Sequence, residues 1–494
     1  MNYFFSKAIC GCLISLMLFD YALADSKFDN SSFNDSNKSF YDEDSNLIKT
    51  SFSNLNGIWQ SKGYGYIIQI QKGTFTKFEV SSAGCLKSVI SEVQEIDASM
   101  FHVLQNPKDN RLHTRLLWEV SDQELLKLKK MPQLCQSKII EQTSNPVINF
   151  NVLWNTFNEQ YAFFKERNVN WQKVYKNYIN RVDANTSNDE LLQIFSEMLL
   201  PLKDLHVGVS NPINGIGFGG LPRSDSRFFK MIEKEFNVQR EDPAFFEILT
   251  NILNKQKSTI SEYLIRGGQA ISSGANNQLV WGRLSNKIGY LNIDAMQNFT
   301  SSEDPKRDAI LEMEALESGL NEALTNLNDV DRLVIDVRTN GGGADRASQL
   351  IANHFADKKR FVFSVSARDG DGFTPEQKVY IEPTGLVLFN KPVTLLIGPL
   401  TGSAAETFAL YMRTIPNVTV MGERTLGILS DILEKKLPNG WSVNLSNERY
   451  TASDSKIYEG KGVPPQIVIF MSTLQDRNNN KDSTLDRIIN GNKK

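Results

Sequence analysis

Val393-Thr394-Leu395-Leu396-Ile397-Gly398-Pro399-Leu400-Thr401-Gly402-Ser403-Ala404-Ala405-Glu406 reads as a buried strand that passes through a Gly/Pro turn into a helix starting at Ser403. Around it the same alternation repeats: strand 288–293, helix 309–327, strand 333–337, helix 345–355, strand 393–397, helix 403–412 and strand 418–421. Strands separated by helices of this length imply βαβ crossovers, so an α/β core is expected over 281–472. A polar tail follows over 473–494, with one short amphipathic helix at 483–489.

Upstream the pattern changes twice. Between 146 and 210, Phe150, Leu153, Trp154, Phe157, Tyr161 and Phe164 recur at helical spacing, and Ser187-Asn188-Asp189-Glu190 opens a second helix. Between 53 and 145 there are short β-rich runs broken by Gly, Asn, Asp and Ser, which predict a small antiparallel β domain. Residues 211–280 link the two regions and have no role readable from sequence. Residues 25–52 begin with a stretch dominated by Ser, Asn, Asp and Glu, a flexible leader by composition. Before it, Lys7, the apolar run 8–19 and Ala22-Leu23-Ala24 form a secretory signal over 1–24. That run falls short of the ~20 apolar residues a membrane span needs.

With the signal removed, Cys85 and Cys135 are the remaining cysteines, and in an exported protein they are expected to form one disulfide. The 494 residues carry 54 Lys+Arg and 57 Asp+Glu, a net charge of −3. That balance gives no electrostatic footprint for nucleic acid or an anionic membrane. Four histidines and four cysteines argue against a metal cluster, and no cofactor is expected.

Ser403 stands at the carboxyl end of a strand and at a helix N-terminus, among residues small enough to admit a substrate backbone. The alternative is a helix cap, because Ser403 and Glu406 have the spacing of a capping box. A second turn, Asn340-Gly341-Gly342-Gly343, also follows a strand, and its N–H groups can converge on one oxygen. It is not a dinucleotide fingerprint, since Arg346 occupies the place of the third glycine. For a base, His206 ends the helical stretch in Leu202-Lys203-Asp204-Leu205-His206.

Six blocks then stand in order: Asp204-Leu205-His206, Tyr290-Leu291-x-Ile293, Asp336-x-Arg338-x-Asn340-Gly341-Gly342-Gly343, Thr401-Gly402-Ser403-Ala404-Ala405-Glu406, Gly422-Glu423-Arg424-Thr425-x-Gly427 and Tyr458-Glu459-Gly460-Lys461-Gly462-Val463-Pro464. Together they resemble the carboxy-terminal processing (tail-specific) serine peptidase family over roughly 150–472. The resemblance implies a Clp-protease/crotonase-like core, a spiral of ββα units. In the family's serine–lysine version a lysine follows the Thr-x-Gly. Here Ile428 stands there and cannot take a proton. The other, histidine-dependent branch is similar to the tricorn core protease and to the interphotoreceptor retinoid-binding protein, and it implies His206 as base and Glu459 as the third member.

By that resemblance Ser403 attacks the scissile carbonyl, His206 carries the proton and Glu459 orients the relay, with Glu406 as a rival for the third place. Gly342 or Gly343, together with Ala404, supplies the oxyanion N–H groups. Leu205 replaces a serine that precedes the tricorn histidine, and no PDZ module is recognisable between His206 and Lys287. The expected function is an exported, periplasmic or secreted peptidase acting on peptides or unfolded proteins, with a non-catalytic ligand-binding protein or a small-molecule esterase or amidase as alternatives. An unshifted His206 would give a rate inflection near pH ~6.5. Neither the oligomeric state nor the natural substrate can be read from the chain.

Overall fold

The structure is a computed structural model that describes residues 48–49, 54–92, 101–106, 110–116, 118–221, 225–268, 270–301 and 305–491. The signal expected over 1–24 lies outside the described residues, as does the leader apart from Ile48–Lys49. Among the described residues no helix is long and apolar enough to cross a membrane.

Seven strands form the central sheet in the order Ser272–Gly274, Leu279–Ser285, Ile288–Ile293, Arg332–Asp336, Val393–Ile397, Val418–Gly422 and Ile467–Val468. The first three pair antiparallel and the rest are parallel. Each parallel step needs a crossover: the helices Pro305–Asn326, Asp345–Asn353 and Ala404–Arg413 lie in the first three, and the step from Val418–Gly422 to Ile467–Val468 runs through strands instead. The strands are Val/Ile/Leu-rich because both faces are covered: Leu333, Ile335, Leu395 and Ile397 belong to the main core, while Val334 and Leu396 face a second cluster with Tyr263, Leu485 and Ile488. The tail helix Ser483–Asn490 thus packs onto the sheet through Leu485 and Ile488, as its amphipathic pattern predicts.

The sequence pattern missed several strands of this region. Arg360–Asp369, Gln377–Ile381 and Glu448–Ala452 form an antiparallel layer, and Ile432–Lys436 with Ser442–Ser446 joins Gly208–Asn211 and Ile216–Gly219 in another. That second layer seats the helical region. Pro146–Gln160 starts at Asn145, whose side chain accepts from the N–H groups of Val147 and Ile148, and Asn188–Leu199 starts at the capping box of Ser187 and Glu190. Their apolar faces share one core with Val209, Val443 and Trp441. Residues 211–280, unassigned from sequence, contain the helices Arg227–Phe236 and Pro243–Arg266. Phe228, Phe229, Phe245 and Leu249 from them pack with Leu400, Leu426 and Ile428, so this segment walls one side of the turn that leads to Ser403.

Residues 48–140 form a nine-stranded sheet, antiparallel except where Gly84–Glu92 pairs parallel with Ile139–Ile140. Trp59, Ile68, Ile70, Phe75, Leu112 and Leu125 fill its core. Cys85 and Cys135 are joined by a disulfide across a separation of 50 residues. Closing a loop of that length restricts the unfolded chain by about 4 kcal/mol. Replacing Cys135 by Ser is therefore expected to lower the thermal midpoint of this sheet while leaving the transition of the α/β core in place, as followed by calorimetry. Intact mass of exported protein with both thiols free would contradict the bond.

Candidate active site

Two turns meet at the carboxyl ends of adjacent parallel strands, where open α/β sheets place their ligands. Asp336 pairs with Leu396 at the end of the ladder, which sets the glycine turn 339–343 beside the turn 398–402. Hydrogen bonds lock them together: Gly402 N–H donates to the Asn340 carbonyl at 3.0 Å, and Thr401 Oγ1 donates to the Val337 carbonyl at 2.7 Å. Asn340 is fully buried, and its amide donates to the Ile293 carbonyl at 3.0 Å while its Oδ1 accepts the Gly342 N–H at 2.8 Å.

Ser403 sits at the top of this pair, partly exposed, with φ +50° and ψ −125°. An ordinary N-cap residue is extended at negative φ, so capping does not account for this backbone. A strained serine on a strand-to-helix turn is the geometry that presents a nucleophile. The glycine turn presses against it. A Cβ on Gly342, which has φ +117°, would lie 2.6 Å from Ser403 Cβ and 3.1 Å from Ala404 N; one on Gly343, at φ +137°, would lie 2.5 Å from the Met296 carbonyl carbon. Both positions therefore exclude any other residue.

Glu406 takes the returning half of the capping arrangement, its Oε2 accepting the Ser403 N–H at 3.3 Å. The same carboxylate accepts from Thr425 Oγ1 and from the N–H groups of Gly427 at 2.8 Å and Ile428 at 2.7 Å. Burial pushes its pKa up to about 7 against these donors. Glu406 is thus committed to fastening the loop 425–428 beneath Ser403. Ile428, at the family's lysine place, is buried, with its Cδ1 3.2 Å from the Cβ position of Gly402. Lys435 is buried too, but it is held by Glu79 and the Tyr64 and Gly65 carbonyls.

His206 reaches the other end of this loop. A 3-10 turn, Leu200–Leu202, ends with Lys203 in the left-handed region, and the chain then turns inward so that Asp204 and His206 are both buried. Asp204 Oδ1 accepts the His206 backbone N–H at 3.0 Å. The imidazole faces the Ser430 carbonyl, while Nδ1 is buried without a hydrogen-bond partner. Burial pulls the ring below its ordinary pKa, so it is neutral at pH 7. Nδ1 and Ser403 Oγ are accordingly not hydrogen-bonded in this structure.

Glu459 lies behind the same loop, its Oε2 accepting from the N–H groups of Leu429 at 2.7 Å and Ser430 at 3.1 Å. It reaches His206 through the Ser430 peptide. Its Oε1 accepts from Arg167 at 2.8 Å, and Arg167 also lies 3.6 Å from Asp204 and donates to the Lys203 carbonyl at 2.7 Å. Burial pushes the Glu459 carboxyl up and Arg167 opposes it; burial likewise works against the guanidinium, but Asp204 and Glu459 outweigh it and hold Arg167 above its ordinary pKa. Sequence reasoning missed Arg167 and the supporting role of Asp204. The Asp-x-His spacing was a signal for Asp204, since a side chain of that type accepts the N–H two residues on. Arg167 carries no local signal.

Residues 287–469 match the model of Peptidase family S41, and residues 148–200 match the Tricorn protease C1 domain. The carboxy-terminal processing protease CtpA of Bacillus subtilis is 27% identical over 134 residues, 27% of this chain and 28% of the relative. A protein of Staphylococcus aureus named "Probable CtpA-like serine protease" is 21% identical over 314 residues, 62% of this chain and 58% of the relative. The chain thus spans between about a quarter and three fifths of the curated relatives it matches. A crystal structure from Parabacteroides merdae, of a protein described as a candidate peptidase, superposes with a TM-score of 0.55 at 25% identity, covering 70% of this chain and 96% of that one.

Proposed function

We propose that this chain, which belongs to peptidase family S41 through residues 287–469, is an exported serine peptidase that hydrolyses peptides or unfolded proteins through an acyl-enzyme formed on Ser403. The observation that carries the reading is the strained backbone of Ser403, at φ +50° and ψ −125°, pressed against Gly342 at the end of the central sheet. Ser403 Oγ attacks the scissile carbonyl carbon as His206 Nδ1 takes its proton, and the carbonyl oxygen becomes an oxyanion. Collapse breaks the C–N bond, and His206 returns the proton to the leaving amine. Water then repeats the sequence on the ester and frees Ser403.

Gly343 and Ala404 supply the oxyanion N–H groups, each donor contributing about 3 kcal/mol to the transition state. Gly342 shapes the turn, its own N–H being engaged by Asn340. Glu459 holds the peptide of Ser430 against the imidazole and is the third member, supported by its bonds to Leu429 and Ser430; Glu406 serves the loop under the nucleophile. The unpartnered Nδ1 leaves the Ser403–His206 bond to be made when substrate enters. Export accords with the signal pattern of residues 1–24 and with the disulfide.

Labelling with a fluorophosphonate tests the reading. A single adduct is expected on Ser403, absent in Ser403→Ala and slowed in His206→Ala and Glu459→Ala, as mapped by peptide mass. Folded wild-type protein that takes no adduct and cleaves no peptide would overturn it.

A further inference from the structure

Four carboxyl groups that the mechanism does not use gather beside the nucleophile. Asp345 begins the helix immediately after the glycine turn and is tied to the helix of Ser403 by Thr407 Oγ1 at 2.8 Å. Asp431 directly follows Ser430. Glu448 is buried and accepts from Tyr64 and, at 3.3 Å, from Ser121, both on the N-terminal sheet. Glu119 comes from that same sheet region and faces Glu448 and Asp345. Tyr450 bridges the group, with its hydroxyl 2.9 Å from Asp345 and 3.4 Å from Glu448.

Three acceptor oxygens in this group have no hydrogen-bond partner: Glu119 Oε2, Asp431 Oδ2 and the hydroxyl of Tyr411. Tyr411 is fully buried on the helix of Ser403, and its phenol feels the charges of Asp345 and Asp431. A buried hydroxyl left unsatisfied among carboxylates marks a place for a donor that the folded chain does not itself provide. The cations that face the group are Arg115 and Arg346; Arg115 is engaged by Asp122 at 2.5 Å, and Arg346 donates to Gln349 at 2.8 Å. Glu119 and Asp431 are partly exposed as residues, while the unpartnered oxygens themselves are buried, so a side chain reaches them past these two residues. Among the described residues no set of ligands is arranged for a metal ion.

We infer that Glu119, Asp431 and Tyr411 form a subsite for the side-chain cation of a substrate lysine or arginine, backed by Asp345 and Glu448. A lysine ammonium has three donors and no acceptor, which matches three unpartnered acceptors, and its charge offsets the surrounding carboxylates. Burial, with mutual repulsion, pushes Glu448 up to about 6 and Glu119 and Asp431 well above the ordinary carboxylate range, and burial pushes Asp345 up to about 6; a bound cation reverses that tendency. Asp431 directly follows Ser430 and Asp345 directly follows the glycine turn, which joins the subsite to the two segments that flank Ser403 and His206. The assignment rests on the peptidase reading for its substrate but not for its test.

The test is binding of uncharged octapeptides to Ser403→Ala, with one lysine, arginine or norleucine moved through the sequence. At one position lysine or arginine is expected to bind about tenfold more tightly than norleucine, and Glu119→Gln and Asp431→Asn should each erase most of that difference. The preference should grow as pH rises through the region near 6 in which Glu448 and Asp345 ionise. Equal affinities for lysine and norleucine at every position overturn the subsite, and so does a lysine preference that survives both substitutions. A preference that is present in a wild-type protein refusing the fluorophosphonate keeps the subsite and removes the peptidase reading. Labelling of Ser403 without any preference does the reverse.

Discussion

His206→Ala is expected to lower kcat/KM for peptide hydrolysis by up to about ten-thousand-fold, the upper range for removing a general base that acts in both acylation and deacylation. KM should change little, because the imidazole makes no ground-state contact that the substrate needs. The pH profile gives the second readout. Burial depresses the His206 pKa, so the neutral, proton-accepting form persists to lower pH than for a free imidazole. The rate should therefore rise with pH through an inflection below ~6.5 and then level off. The depressed value corrects the inflection expected for an unshifted histidine. A profile climbing steadily toward pH 10, with His206→Ala retaining most of its activity, would give the base role to another group.

The alternation from Ile288 to Met421 made the four strands Ile288–Ile293, Arg332–Asp336, Val393–Ile397 and Val418–Gly422 readable, because buried parallel strands are largely apolar and their crossover helices have clear starts, whereas Ser272–Gly274, Leu279–Ser285 and Ile467–Val468 of the same sheet were missed. The layers built on Arg360–Asp369 and Ile432–Lys436 were not readable. Their strands carry Ser, Arg and Lys among the apolar residues, and the first of them pairs with a distant part of the chain. The site divides in the same way. Ser403 and the glycine turn are visible in sequence because close approach and positive φ demand small residues in a row. The fixing of His206 was only half visible, since Asp204 is local while Arg167 comes from a helix–loop junction some forty residues earlier and meets Glu459 from almost three hundred residues later. The choice between Glu406 and Glu459 likewise needed three dimensions. Both are buried carboxylates accepting backbone N–H groups from one loop, and only their positions along it, at Gly427–Ile428 or at Leu429–Ser430, separate the one beside Ser403 from the one that reaches His206 through the Ser430 peptide.

Arg167→Met should be the most destabilising single change in this network. It leaves Asp204, fully buried, and Glu459, 2% exposed, without the guanidinium that faces both. Removing one partner of a buried ion pair costs about 3–5 kcal/mol, because the remaining charge keeps its desolvation penalty. The sign of the pH dependence follows. Without Arg167 the folded-state pKa of Glu459, which burial already raises to about 8, rises further above its unfolded value, so the folded variant binds a proton that the unfolded chain releases. Its deficit should be largest at neutral pH and shrink as pH falls toward the unfolded carboxylate range, as measured by urea unfolding at several pH values. Arg167→Lys should recover little, since a compact ammonium cannot span Glu459, Asp204 and the Lys203 carbonyl as the planar fork does. Adding Glu459→Gln to Arg167→Met should restore part of the lost stability by removing one of the two stranded charges, while leaving Ser403 labelling slow. An Arg167→Met protein with the wild-type urea midpoint at pH 7 and the wild-type labelling rate would show that the loop 429–430 and the turn of His206 hold their places without this clamp.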